Sequence, residues 1–130
     1  FFRNFLVESK GEHRDSFDIK AAMQPVVDYA RIYALNHRVA ETNTMGRLRE
    51  VCALKELSAQ QYQELDAVYS YLMQQRFARQ VRAYIEENGK PDNYINPKKL
   101  TRIEQKMLKE IFSRIENFQT KIDVEFIGTL

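Results

Sequence analysis

A chain of 130 residues that is 44% hydrophobic can bury one proper core, so a single domain spanning 1–130 is expected. A net charge of +2 excludes a globally basic nucleic-acid binder, while a lone cysteine, Cys52, excludes an internal disulfide and a cysteine-based zinc site and fits a reducing, cytoplasmic setting. The longest run free of charge, 67–75, is far shorter than the roughly 18 residues that suggest a membrane span.

The chain opens on FFRNFL without an initiator methionine, which suggests a segment excised from a longer protein. Residues 1–8 read as a short helix, and 9–20, polar and aperiodic, as a surface loop. Pro25 suits the first position of a helix, where its missing N–H costs nothing, and that helix carries Val26, Val27, Ala30, Ile32, Tyr33 and Ala34 to about Asn36. The stretch VAETNT breaks the pattern. Thr44 then serves as N-cap for a helix from Met45 to about Glu56, whose stripe of Met45, Leu48 and Cys52 makes the cysteine a small core residue. Ser58 and Gln61 form a capping box for a long helix over 59–88, about 45 Å at the α-helical rise. Gly89 is suited to stop it, and the prolines, Asn and Asp of KPDNYINPKKL fix an ordered turn. Thr101 and Glu104 form a second capping box, and the last helix carries Met107, Leu108, Ile111, Ile115, Phe118 and Ile122 on one stripe. The class is all-α, a four-to-five-helix bundle with one long helix.

The long helix changes face. At about 100° per residue, Tyr62, Leu65, Val68, Tyr69, Leu72 and Met73 share one side, which then passes to Arg76, Arg79 and Gln80, while Phe77, Val81, Tyr84 and Ile85 take up another. No acid lies between Asp66 and Glu86, and arginine suits planar contact with phosphate or carboxylate. The expected reason is a cleft that holds Arg76, Arg79 and Gln80, with Lys20, Arg31 and Arg47 nearby, and that takes an anion.

Other chemistries lack their residues. His13 and His37 stand without a cluster at ligand spacing, so no metal site is expected. No Gly-x-Ser-x-Gly elbow occurs, and the glycines are too scattered for a phosphate loop.

The segments GEHRDSFDIK, QPVVDYARIYAL, ETNTMGRLREV, RFARQ and PDNYINPKKLT, in that order, resemble the helical substrate-binding domain that follows the catalytic domain in bacterial nucleotidyltransferases related to the PII-uridylyltransferase. The resemblance covers nearly the whole chain. It implies a bundle packed beside a nucleotidyltransferase domain of the same parent chain, often behind CBS or cyclic-nucleotide-binding domains, with a role in signal transduction. It also implies substrate-binding positions at Asp18, Lys20, Arg31, Asn43, Thr44, Arg47, Arg76, Gln80 and Asn93, to which the face change adds Arg79. Mg²⁺ and a nucleoside triphosphate are implied for the parent protein, with nucleotide or a protein substrate as partner.

The chain by itself is not expected to be an enzyme of this class. Nucleotide transfer needs a Gly-Ser turn and paired acids that hold Mg²⁺. Asp15 and Asp18 have no Gly-Ser ahead of them, and Asp123 and Glu125 end a helix with Gly128 on the wrong side. Two readings compete. Arg31 and His37 resemble the Arg-x4-6-His signature of HEPN-type helical ribonucleases, though they point about 120° apart on a helix. A structural dimerisation module, with the arginines paired to acids of a second chain, is the other.

Overall fold

The computed structural model describes residues 7, 11–87 and 89–128, so the helix expected over residues 1–8 lies outside the described residues, except for Val7, which has no regular structure. Among the described residues the fold is all-α: four α-helices and one antiparallel pair of two-residue strands. In chain order these are β1 (Phe17–Asp18), α1 (Ile19–Asn36), α2 (Thr44–Ala53), α3 (Ala59–Ile85), β2 (Tyr94–Ile95), a 3-10 turn (Pro97–Lys99), α4 (Arg102–Ile122) and a π-helical turn (Asp123–Ile127).

The first helix starts earlier than its proline suggests. The Asp18 carboxylate accepts hydrogen bonds from the backbone N–H groups of Lys20 (2.9 Å) and Ala21 (3.3 Å), which makes it the N-cap. Pro25 therefore lies inside α1 and leaves the Ala21 carbonyl without its usual i+4 donor. Ile19, Ala22, Met23 and Val26 recur at helical spacing and are all buried. Burying side chains of that size contributes about 1.5–3 kcal/mol for each large one, enough with the cap to outweigh one missing bond.

The second helix begins one residue earlier than expected and is capped differently. Asn43, not Thr44, is its N-cap, accepting from Gly46 N–H at 2.7 Å, and Thr44 is the first helical residue. A Cβ at Gly46 would come within 2.9 Å of Glu41 Oε2 and 3.0 Å of Asn43 Oδ1, so these two side chains approach the turn closely because position 46 has none. Helix α2 stops at Ala53 rather than near Glu56, and Lys55 follows with φ 61. Cys52 is half-buried rather than enclosed in the core.

Both capping boxes form. Ser58 Oγ accepts from Gln61 N–H (3.1 Å) while Gln61 Oε1 accepts from Ser58 N–H (3.0 Å); Thr101 and Glu104 repeat the exchange at the start of α4. The long helix ends at Ile85, short of Asn88. Its last carbonyls are met by Glu87 N–H, which donates to Arg82 O, and Gly89 N–H, which donates to Ala83 O. Gly89 does this without a left-handed φ. On α4 the stripe holds from Leu108 to Ile122, whereas Met107, at its edge, is 45% exposed.

The chain divides into two compact units. The first comprises Phe1–Met23 and Tyr71–Phe112, the second Gln24–Ser70 and Ser113–Leu130. In the first, β1 and β2 pair Phe17 with Ile95 and Asp18 with Tyr94, and Phe17 meets Phe112 edge-on at 5.4 Å. In the second, Tyr29 stacks on Tyr33 at 4.5 Å and meets Phe118 edge-on at 5.5 Å. Burial, with the nearby charge of Glu125, pushes the Tyr29 phenol above its ordinary range.

Candidate functional site

In the first unit, the turn between α3 and β2 is where the polar face of α3 finds its partners. Pro91 limits the backbone of the turn, and two side chains then lock it in place. Asn93 is the hub. Its backbone carbonyl accepts from Ile19 N–H (2.8 Å), and its Oδ1 accepts from Arg76 Nε (2.8 Å) and Gln80 Nε2 (3.1 Å). Three of the ten candidate residues, Arg76, Gln80 and Asn93, thus meet where α3 passes the start of α1, and Asp18 lies one residue before the Ile19 N–H that bonds Asn93.

Arg79 is engaged differently. Its guanidinium forms a fork with Glu87 (2.7 and 3.0 Å) and a second pair of bonds with Asp92 (3.0 and 3.1 Å). Asp92 Oδ1 also accepts from Tyr94 N–H at 2.9 Å. The bonds it donates to Glu87 and Asp92 raise the guanidinium's proton affinity further. Burial alone would push the Asp92 carboxyl up, but Arg79 and the Tyr94 N–H together outweigh it and hold the carboxyl below its ordinary range; Arg79 does the same for Glu87. The expected partner of these arginines was an anion held in a cleft. For Arg79 the chain supplies it internally.

Arg76, one turn earlier, is half-buried and has no carboxylate partner among the described residues; only its Nε is bonded, to Asn93. Asp18 is tied up as the cap of α1. Lys20 is exposed, and among the described residues its ammonium forms no ion pair.

The first unit also holds a cleft of about 430 Å³, lined among others by His13, Arg14, Gln75, Arg79, Arg82, Tyr94, Lys99 and Glu104. His13 lies flat on Tyr94, centroids 3.7 Å apart. Arg79 is the one candidate residue on this lining. Arg14, Lys99 and the His13–Tyr94 stack carry no sequence signal, because residues 11–16 and 94–99 are distant in sequence and come together beside the β1–β2 pair.

In the second unit, Asn43 caps α2, and Arg47 Nε donates to the carbonyl of Glu41 at 2.9 Å, so Asn43, Thr44 and Arg47 build the start of one helix. Arg31 lies 3.9 Å from Asp28, an exposed pair, and His37 lies 3.8 Å from Glu56. The two residues of the ribonuclease-like pattern thus sit beside different carboxylates. Among the described residues no group of three or more His, Cys, Asp or Glu could hold a metal ion, and no helix is long and apolar enough to cross a membrane.

No curated protein and no solved structure matches the chain. A family model does, over residues 1–126, and this covers the cap of α1, the Asn43 turn, the arginine face of α3 and the Asn93 hub together. The chain therefore belongs to the family described as "Putative nucleotidyltransferase substrate binding domain".

Proposed function

We propose that this domain binds the anionic part of a substrate for a nucleotidyltransferase, and that Arg76 is the cation that receives it. The observation that carries this reading is the contrast along α3: Arg79 has two carboxylates of its own, whereas Arg76, also withdrawn from water, has none among the described residues. A half-buried guanidinium without an anion bears a desolvation cost that a phosphate or carboxylate would relieve. Asn93 and Gln80 fix its Nε side and leave the Nη edge for a planar, two-point contact. Lys20, on the first turn of α1, supplies a second, exposed cation in the same unit. In the second unit, Asn43, Thr44 and Arg47 at the start of α2, with Arg31 on α1, are a further polar set that the reading assigns to substrate contact.

In this reading the chemistry belongs to a catalytic domain of the parent chain, which brings Mg²⁺ and the nucleoside triphosphate, and the whole works in the cytoplasm. The present domain orients the acceptor or the nucleotide against it. Calorimetric titration of the chain with ATP tests the proposal. Arg76→Ala should weaken binding by about 1.5–3 kcal/mol, the worth of a hydrogen bond to a charged group, and Asn93→Ala should weaken it less. Unchanged affinity in Arg76→Ala would refute the assignment.

A further inference from the structure

The cleft in the first unit holds about 430 Å³, within the size range of small-molecule sites and far more than a phosphate ion needs. Its charges do not cancel. Of the acids on its lining, Glu87 is held in the fork of Arg79 and Glu104 closes the capping box of α4, which leaves Glu12. Of the cations, Arg79 is taken by Glu87 and Asp92, and Arg82 has Glu86 at 3.7 Å, whereas Arg14 and Lys99 form no ion pair among the described residues.

The fold brings those two cations to one place. Arg14 sits in a pair of overlapping turns, its own N–H donating to Gly11 O at 3.2 Å and the Ser16 N–H to His13 O at 3.0 Å. Lys99 stands on the 3-10 turn, which Asn96 caps through Lys98 N–H and Gln105 braces through Pro97 O, both at 2.9 Å. Asp15 and Lys98, their neighbours in sequence, lie 3.8 Å apart, which sets the two turns side by side. The charge of Lys99 reaches Glu87, but that carboxylate already accepts from Arg79. Two like charges on one cleft repel each other, and an anion between them replaces that repulsion with two attractions.

We propose that this cleft is a second anion site and takes an organic phosphate monoester. Arg14 and Lys99 meet the phosphate, arginine offering the planar two-point contact and lysine a point charge. The organic part occupies the remaining space, beside the His13 ring and the Gln75 amide, neither of which has a hydrogen-bond partner among the described residues. Arg76, Gln80 and Asn93 are not on this lining, so the inference does not rest on anion binding at Arg76.

AMP, adenosine and inorganic phosphate are titrated separately into the chain at one fixed pH and read by NMR at the His13 ring, with the Arg76 Nε–Hε signal followed as the reporter of the other site. AMP should shift His13 saturably, and both adenosine and phosphate should bind there at least tenfold more weakly. Arg14→Ala and Lys99→Ala, which truncate exposed side chains, should each weaken AMP binding at His13 at least tenfold and keep the wild-type melting temperature; if one of them melts early, the other carries the comparison. No saturable shift at His13 with AMP, adenosine within tenfold of AMP, or undiminished binding in a folded variant would overturn the inference. Phosphate as tight as AMP would also overturn it, by reducing the cleft to an adventitious ion only. A response at Arg76 with His13 unmoved counts against this site alone, and the reverse counts against the Arg76 site alone.

Discussion

Arg76 and Arg79 sit on one side of one helix and meet different surroundings, and their substitutions should diverge accordingly. Removing Arg79 strands Asp92, which is half-buried, and breaks the link between the end of α3 and the turn that follows. Arg79→Ala should cost about 1.5–3 kcal/mol in a thermal or urea melt. Arg76→Ala removes a bond to a neutral amide and should cost about 1 kcal/mol or less. The pH dependence follows from the depressed carboxyls of Asp92 and Glu87: their contribution is complete above the ordinary carboxylate pKa of about 4 and is lost as pH falls through the lower folded values. The stability gap between wild type and Arg79→Ala should therefore be constant near neutrality and close in acid below about pH 4. A gap that instead narrows between pH 5 and 8 would point to a histidine.

At the scale of elements, two helix starts differ from their sequence signals, and each difference can be tested. Asn43 caps α2 through Gly46 N–H, so Asn43→Ala should destabilise the chain by about 1 kcal/mol with no ligand present, whereas Thr44→Ala should have a smaller effect. Unchanged stability in Asn43→Ala would refute the cap. Pro25 lies inside α1, where it withholds an N–H from the Ala21 carbonyl. Pro25→Ala restores that donor and should raise stability by about 1–3 kcal/mol, less what the freer unfolded chain takes back. A lower melting temperature in Pro25→Ala would mean that packing of the ring outweighs the backbone.

At the scale of the whole molecule, the helical class, both capping boxes and the buried stripe of α4 were legible because each is written in local spacing. The start of α1 was written there too, in the recurrence of Ile19, Ala22, Met23 and Val26, but a proline six residues further on gave a competing signal. The change of face along α3 was equally plain, and its polar continuation does turn inward. What local spacing could not supply was the identity of the partners there. Asp92 and Asn93 read as turn residues in sequence, and only the fold of the turn against α3 makes one the counterion of Arg79 and the other the support of Arg76. The exposed stripe of Phe77, Val81, Tyr84 and Ile85 was likewise visible as a second face, but not that the fold leaves it uncovered.

The central claim is that Arg76, and not Arg79, is available to an anion. NMR of the arginine Nε–Hε groups during titration with ATP, repeated with inorganic phosphate, reads this directly. The account predicts a saturable shift at Arg76, accompanied by the Asn93 side-chain amide, with the Arg79 signal fixed by Glu87 and Asp92. A saturable shift at Arg79 with Arg76 unmoved, or a linear drift shared by all arginines, would contradict it.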